Sequence, residues 1–339
     1  MLILYFVALY VTVATVVAQP GLIPRYRAPG VAFRLTPDYG LASIYLKNGT
    51  SVPVAQVWGT LGYQDFMRKP LHSAWESRST LCRYITPGLE QLIPLFGSWI
   101  SICRNSKVES TLSVMDSLKT AVEAYLGTSI CDVKLNIDVF EWPKHQVVRE
   151  ALHALGLREV VPTMPTTKSV VLEHVPHMGT TPGYNEEPWI ILAIDYSKHW
   201  YNVGLMNIDE GFVDPIPGFI RGPTIGKGQQ LKAVEHSLRD IIANPPDNIR
   251  NLPKQIHRVM LYGDDAKDDS LRELLIRLLG KMLVRNALIS NSIFDGTNYT
   301  AYTAYYHMDI VNYPRPPWGC RWRSNFYIDP EGDEVKAEL

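Results

Sequence analysis

The sequence predicts an α/β fold, because segments typical of β-strands alternate along the chain with segments typical of α-helices. Trp189–Leu205 (WIILAIDYSKHWYNVGL) has the pattern of two apolar strands joined by a polar turn. Thr111–Gly127 instead has apolar residues at helical spacing and ends in glycine. The chain of 339 residues is long enough for two lobes that each bury a core.

The first half of the chain begins with a predicted hairpin. Val31–Tyr45 alternates loosely, Asn48-Gly49 is a turn signal, and Val52–Val57 supplies the partner strand. The helix predicted at Thr111–Gly127 follows, and its apolar positions are Leu112, Met115, Leu118, Val122 and Tyr125.

The second half of the chain is predicted to continue this alternation. Leu157–Val161 and Val170–Leu172 flank a turn that contains proline and threonine. The leucine stripe of Asp269–Arg285 is typical of a helix that faces a core. The predicted strands are Val133–Val139 and His257–Tyr262, together with the strand pair at Trp189–Leu205. The predicted helices are Lys144–Leu155, Leu231–Ala243 and Asp269–Arg285, and Gly218–Gly228 is predicted to be a loop.

The balance of charge argues against nucleic acid as a partner. The sequence has 33 basic and 34 acidic residues, which gives a net charge of −1. Binding to nucleic acid depends on a basic excess, so no nucleic-acid partner is predicted.

The amino terminus predicts entry into the secretory pathway. Leu2–Ala18 is uninterrupted and apolar but shorter than the roughly 20 residues that span a bilayer. We interpret it as a signal peptide cleaved near Ala18, which predicts a secreted or endoplasmic reticulum protein with no membrane contact after cleavage. A retained membrane anchor is the alternative. The final residues, KAEL, differ by one residue from the luminal signal KDEL, and both retention and a plain charged tail stay open.

Modification signals agree with this compartment. Asn48 and Asn298 each begin an Asn-x-Thr sequon and are the predicted glycosylation sites. An even number of cysteines in an oxidising lumen predicts two disulfides, with three pairings open and the local pairing of the first two favoured. Four free thiols are the alternative if the protein is not secreted. The cysteines are Cys82, Cys103, Cys131 and Cys320.

The turn inside the strand pair has the position of a phosphate-binding loop but not its composition. Asp195 ends the first strand, and Ser197–Trp200 (SKHW) forms the turn. Phosphate loops use small residues because only a bare backbone lets several amides approach an anion. We therefore interpret this turn as the remnant of a phosphate-binding loop whose small residues have been replaced.

Several segments, taken in order, resemble the nucleotide-binding domain of the seventy-kilodalton heat-shock chaperones, within the actin-like ATPase superfamily. Leu118–Gly127 (LKTAVEAYLG) is similar to a helix of that family. Val31–Asn48 and Ile191–Leu205 resemble its two phosphate loops, and Val259–Leu275 resembles its adenosine-side strand, loop and helix. The resemblance implies a ribonuclease H-like fold of two lobes, each a mixed sheet flanked by helices, around a central cleft.

The resemblance also implies how the chain is divided. Only 34 residues separate Gly222 from His257, where the family has a whole outer subdomain. Most of that subdomain is therefore expected to be missing, together with one wall of the adenine pocket. The chain is then expected to consist of a signal peptide (1–18), a linker (19–30), an amino-terminal lobe (31–160), a carboxy-terminal lobe (161–312) and an irregular tail (313–339).

The first phosphate loop departs from the family at the residues that hold metal and phosphate. Arg34 stands where the family has an Asp that helps to hold the metal. Thr36, Pro37 and Asp38 follow in place of small residues, and the proline removes one amide donor. Met164 stands where the family has the Glu of its catalytic side.

The other two loops depart in the same direction. The second loop keeps Asp195, but its glycines are replaced from Ser197 onward. The third loop keeps Gly263, while Asp264 follows and would repel phosphate. Together these losses predict no ATP hydrolysis, no cofactor and no metal ion.

Four residues at the predicted cleft are candidates for any remaining catalysis. Asp195, Lys198 and His199, with Arg34 facing them, combine groups that can transfer protons. The alternative is that they form a structural cluster of ion pairs and hydrogen bonds that fills the space of the lost nucleotide.

We therefore expect a pseudo-ATPase of the secretory pathway, a binding or accessory protein whose partner is an unknown small molecule or protein. The alternative is a repurposed enzyme that acts on a small non-nucleotide molecule, for example in the tailoring of a secondary metabolite. A weakly active nucleotide hydrolase is a third hypothesis. His174 and His177 have the spacing of a ligand pair, but no third ligand accompanies them, so metal binding is not predicted.

Overall fold

The computed structural model describes residues 28–68, 105–137, 142–160, 162–222, 227–246, 249 and 251–308. The predicted signal peptide, most of the linker, the tail and three of the four cysteines lie outside these residues. Among the residues described, no helix is both long and apolar enough to cross a membrane.

The first lobe contains a five-stranded mixed sheet. Its central strand β1 runs antiparallel to β2 and parallel to β4, and the strand order is β3-β2-β1-β4-β5. In chain order the elements are β1 (Gly30–Leu35), β2 (Tyr39–Tyr45), β3 (Ser51–Trp58), α1 (Leu61–Arg68), α2 (Ser106–Leu126), β4 (Asp132–Ile137), α3 (Trp142–Ala154) and β5 (Arg158–Glu159).

The second lobe repeats this topology. Its strand order is β8-β7-β6-β9-β10, and β6 runs antiparallel to β7 and parallel to β9. Its elements are α4 (Thr166–His174), a 3₁₀ turn (Val175–His177), β6 (Trp189–Tyr196), β7 (Tyr201–Asp209), β8 (Phe212–Gly222), α5 (Lys227–Ala243), β9 (Ile256–Tyr262), α6 (Asp269–Leu279), α7 (Lys281–Arg285), β10 (Leu288–Ile289) and α8 (Thr297–Met308).

The two lobes thus share a core order of three antiparallel strands, a helix, a parallel strand, a helix and a short parallel strand, to which α1, α4, α7 and α8 are added. The prediction of an α/β fold with mixed sheets flanked by helices is confirmed. The strand pair predicted at Trp189–Leu205 is present, and the predicted stop at Gly127 caps α2 with a φ of 65°.

Strand alternation places one polar residue of each central strand between the lobes. In β6, Ile190, Leu192 and Ile194 pack into the core beneath α5 and α6, whereas Ile191 and Ala193 pack toward α4. Successive side chains point to opposite faces, so Asp195 belongs to the face toward α4. In β1, Arg34 is likewise on the face opposite to the core residues Val31, Phe33 and Leu35.

Three sequence predictions need correction. The helix predicted at Asp269–Arg285 is interrupted at Gly280, whose φ of 92° is incompatible with a continuous helix. The loop predicted at Gly218–Gly228 begins as the end of β8, because this segment pairs with β7. Val170–Leu172 lies inside α4, not at the edge of a turn.

Helix α8 returns from the end of the described chain to cover the first sheet. It lies against β1 and β2, and an added Cβ at Gly30 would be 2.0 Å from the Ala301 carbonyl oxygen. The sequence analysis missed this helix. Its sequence, TNYTAYTAYYHM, is rich in threonine and tyrosine, which have low helix propensity.

A carboxylate from α4 caps α8. Glu173 accepts hydrogen bonds from the backbone N–H of Gly296, the side chain of Asn298 and the backbone N–H of Tyr299. Burial nevertheless raises the pKa of Glu173 from 4.5 to about 7. The folded protein therefore holds this proton more tightly than the unfolded chain.

This difference predicts how stability depends on pH. The contribution of Glu173 is fully present below about pH 4.5 and is lost as the pH rises through about 7. We expect Glu173→Gln to remove this part of the pH dependence, measured as the free energy of unfolding by urea between pH 4.5 and 8. Glu187→Gln, at an exposed carboxylate, is the control that leaves the slope unchanged. An unchanged slope in Glu173→Gln would contradict the prediction.

Candidate functional site

Three turns meet between the lobes at the ends of the central strands. The first is the β1–β2 hairpin, the second is the β6–β7 turn, and the third follows β9 at Gly263. These are the turns that the sequence resemblance assigns to the two phosphate loops and the adenosine loop.

The first two turns occupy equivalent places in the repeated topology. The N–H of Thr36 donates to the carbonyl of Tyr39 at 2.9 Å, and the N–H of Ser197 donates to the carbonyl of Trp200 at 3.0 Å. The same four-residue turn therefore closes each hairpin, and residues 161 positions apart correspond.

The first contact between the lobes is a buried ion pair. An Arg34 guanidinium nitrogen lies 3.1 Å from Asp195 Oδ2, and the two side chains are 2% and 0% exposed. Arg34 also donates to the Ile293 carbonyl at 3.0 Å and lies over the ring of Tyr262 at 5.9 Å. Ser197 Oγ donates to the other oxygen of Asp195 at 2.9 Å. A cation thus occupies the place that the resemblance assigns to a metal-holding acid.

The second contact joins Asp38 to His199. His199 Nδ1 lies 2.8 Å from Asp38 Oδ2, so this nitrogen carries the proton and donates it to the carboxylate. Arg68 Nε donates to the other oxygen of Asp38 at 2.9 Å. Asp38 is fully buried, whereas the His199 side chain is 39% exposed.

The third contact brings the turn after β9 against both others. The Tyr39 hydroxyl donates to Asp264 Oδ1 at 2.6 Å, and the N–H of Asp264 donates to Ser197 Oγ at 3.3 Å. Burial raises the pKa of Tyr39 and also that of Asp264, so the phenol keeps its proton. Neither Tyr39 nor Arg68 was identified from the sequence, although each pairs with an acid of the predicted loops.

Gly263 makes this close approach sterically feasible. Its φ is +103°, and an added Cβ would lie 2.3 Å from Asp195 Oδ1 and 2.6 Å from the Tyr196 carbonyl oxygen. The glycine that the family uses beside a nucleotide serves here to bring two turns of the protein together.

The predicted set of Asp195, Lys198 and His199 is not assembled as one group. Asp195 pairs with Arg34 and His199 pairs with Asp38, while Lys198 is exposed. Trp200, which follows His199 in the chain, is 1% exposed, and its carbonyl accepts a hydrogen bond from the side chain of Gln230 at 2.7 Å. Pro37 lies in the first turn between Thr36, whose N–H donates to the Tyr39 carbonyl, and Asp38, which pairs with His199.

Asn202 is a further polar residue of the cleft that sequence reasoning missed. It pairs with Asp195 across β6 and β7, so the two side chains are on the same face of the sheet. It is fully buried, and neither amide atom has a hydrogen-bond partner among the described residues. Buried amides are normally satisfied, so this position has the polarity to hold water or a ligand.

A cavity of about 350 Å³ lies beside the third turn. It is lined by residues 263–268 and 290–293, which include the carboxylates of Asp264, Asp265 and Asp268 and the amine of Lys267. Asp268 also caps α6, because its Oδ1 accepts from the N–H of Ser270 at 2.8 Å. The excess of carboxylates makes this cavity unfavourable for a phosphate group.

Three other residues considered in the sequence have no contact with the three turns among the hydrogen bonds described above. Met164 extends the first sheet by backbone pairing beside Asn136, so it supplies no polar group in place of a catalytic Glu. His174 and His177 have ring centroids 6.3 Å apart. No group of three or more metal-ligating side chains occurs in the described part of the chain.

The two sequons differ in exposure. Asn48 is exposed in the β2–β3 turn, as a glycan acceptor requires, whereas Asn298 is half-buried and hydrogen-bonded to Glu173. Glycosylation stays a prediction at both. Cys131 is buried and is not a free thiol, and the pairing of the four cysteines also stays a prediction.

Comparison with protein-family models finds no match, and comparison with curated proteins finds no similar sequence. The proposals below therefore rest on the contacts described above and on the resemblance noted in the sequence.

The buried ion pair predicts a strong coupling between the lobes. Arg34→Met leaves the Asp195 carboxylate buried without its partner, and we expect the free energy of unfolding to fall by about 3–5 kcal/mol. The double variant, Arg34→Met with Asp195→Asn, should lose about 1–3 kcal/mol less free energy of unfolding than the sum of the losses in the two single variants. Denaturant unfolding in a double-mutant cycle measures this difference.

The control for this cycle is an ion pair on the surface of α5. Arg239 and Glu235 are four residues apart, and the Arg239 side chain is largely exposed. Arg239→Met should therefore cost less than about 1 kcal/mol. Strict additivity of the Arg34 and Asp195 changes would contradict the assigned coupling.

Proposed function

We propose that the protein is a pseudo-ATPase of actin-like, heat-shock-chaperone ancestry that binds a small molecule or a protein partner without hydrolysing ATP. One observation carries this proposal: the three turns that would surround a nucleotide are bonded to one another. Arg34 with Asp195, Asp38 with His199, and Tyr39 with Asp264 connect them. The duplicated topology of the two sheets supports the ancestry.

A triphosphate would have to displace these contacts. Phosphate sites offer free backbone amides and cations to the anion. In this cleft the guanidinium of Arg34 is already paired, and the Ser197 N–H is bonded within its own turn. Phosphate would also approach the carboxylates of Asp195 and Asp264. The electrostatic cost therefore adds to the cost of separating a buried ion pair.

The remaining cavity favours a different class of ligand. Its volume of about 350 Å³ is in the lower range of small-molecule sites. The carboxylates of its lining favour a neutral or cationic polar molecule over an anion. Asn202 is not among the residues that line this cavity, so its unpartnered amide is a separate polar position beside Asp195 on the sheet.

We expect no binding of ATP or ADP, with or without magnesium, in isothermal titration calorimetry of the purified protein. A heat-shock chaperone nucleotide-binding domain measured in the same buffers is the positive control. Saturable binding with a Kd below about 1 mM would contradict the proposal. A screen of neutral and cationic small molecules for increased melting temperature would then identify the ligand class.

A second candidate function is a repurposed enzyme, and the arrangement of His199 favours it. Its Nδ1 donates to the buried carboxylate of Asp38, and the side chain is partly exposed. In this arrangement an acid fixes the tautomer of an imidazole whose other nitrogen can act as a general base. The substrate would be a small non-nucleotide molecule.

The enzyme candidate predicts a turnover that depends on His199. The protein is incubated with a mixture of small metabolites, and conversion is followed by mass spectrometry. Conversion by the wild type that His199→Gln abolishes and Lys198→Ala preserves would support this candidate. Equal conversion by wild type and His199→Gln would exclude His199 as the base.

The secretory location is part of the same proposal. The apolar Leu2–Ala18, the exposed sequon at Asn48 and the absence of a free thiol at Cys131 support it. Mass spectrometry of the protein purified from its native cells tests all three features together. A product with Met1 intact and no glycan at Asn48 would overturn the location.

A further inference from the structure

A second cavity lies at the other end of β2 from the cleft. Its volume is about 420 Å³. The end of β2, the end of α4 and its 3₁₀ turn, the β7–β8 turn and the first turns of α8 line it. We call it the tyrosine pocket, because Tyr45, Tyr299 and Tyr302 are among its lining residues.

The tyrosines hold one another in fixed positions. The Tyr45 and Tyr302 rings pack edge to face, with centroids 5.2 Å apart and an interplanar angle of 83°. Tyr299 and Tyr302 have centroids 5.6 Å apart and are tilted by 40°. Tyr305 also packs on Tyr45, with ring centroids 5.3 Å apart. The three rings that line the pocket are therefore mutually packed at different angles, and the 38% exposure of Tyr302 leaves part of this residue accessible.

Among the described residues that line the tyrosine pocket, Glu173 alone carries a charge. Its carboxylate already accepts hydrogen bonds from Gly296, Asn298 and Tyr299, so few of its lone pairs are available to a new donor. Because its pKa is about 7, this carboxylate is fully ionised only well above that pH, where its charge exceeds the roughly half positive charge of the α8 amino terminus that it caps. Asp295, beside it in space, adds a second negative charge, and His174 Nε2 lies 3.6 Å from Asp295.

We propose that the tyrosine pocket binds an organic cation of the quaternary ammonium type. Aromatic rings attract a cation through the negative potential of their faces, and several rings around one cation form the usual recognition site. A quaternary ammonium donates no hydrogen bonds, which suits a carboxylate whose lone pairs are already used. Leu172 and Val175 supply apolar contacts for its methyl groups.

Other ligand classes fit the tyrosine pocket less well. A divalent metal ion needs several oxygen ligands, and the described lining offers one carboxylate. An anion would meet the charge of Glu173 without a compensating lysine or arginine among the described lining residues. The pocket shares no lining residue with the cleft contacts, so this inference does not depend on the proposed function.

The test compares choline with its neutral isostere 3,3-dimethylbutan-1-ol, each titrated into the full chain and followed by ligand-observed NMR. We expect saturable choline binding, with an affinity for the neutral isostere at least about fivefold weaker. Tyr302→Ala should weaken choline binding by about fivefold or more, and Tyr302→Phe, which keeps the ring, should retain it. Tyr184→Ala, at an exposed tyrosine that does not line the pocket, is the matched control.

Charge is tested separately at about pH 8.5, above the pKa of about 7 of Glu173, where Glu173→Gln should weaken choline binding and leave binding of the neutral isostere unchanged. Circular dichroism and the melting temperature of each variant report whether it is folded. If Glu173→Gln unfolds, the comparison of Tyr302→Ala with Tyr302→Phe still tests the role of the aromatic ring. Equal binding of choline and its isostere would overturn the proposal in favour of a purely apolar pocket. No saturable choline binding up to about 100 mM, or full binding by Tyr302→Ala, would also overturn it.

Discussion

The buried ion pair between Arg34 and Asp195 is the contact on which the arrangement of the two lobes depends. Both side chains are removed from water, so separating them inside the protein would leave a charge without compensation. The neighbouring contacts, Asp38 with His199 and Tyr39 with Asp264, close the same interface. These contacts oppose any movement that would separate the two lobes at this place, because each would have to be broken.

The repeated topology explains why these pairs are complementary. Residues 161 positions apart occupy equivalent places in the two lobes, and the pairs Arg34 with Asp195 and Asp38 with His199 each join equivalent positions. When two related units face each other, equivalent residues meet, and identical charges there would repel. At the first place the two halves carry opposite charges, and at the second an imidazole N–H donates to a carboxylate.

The candidate site was predictable in position but only partly in chemistry. The local strand and turn pattern located the turn at Ser197–Trp200, and the resemblance to the chaperone family located the other two turns. The sequence also suggested that Arg34 faces Asp195. It did not reveal Tyr39, Arg68 or Asn202, since their roles depend on neighbours that are distant in sequence. The same limit applies to α8, whose tyrosines and threonines give a weak helical signal and whose position depends on packing against β1 and β2.

The sequence by itself determined the alternation of strands and helices, the glycine stop of α2 and the absence of glycine from the Ser197–Trp200 turn. These features depend on period, propensity and backbone freedom, which act over a few residues. Only the tertiary structure decided that Gly263 brings two turns together, that Asp195 and His199 take separate partners, and that Tyr45 joins the tyrosines of α8 around a pocket. Long-range burial and charge pairing set these outcomes, because a buried polar group must find a partner wherever the fold places one.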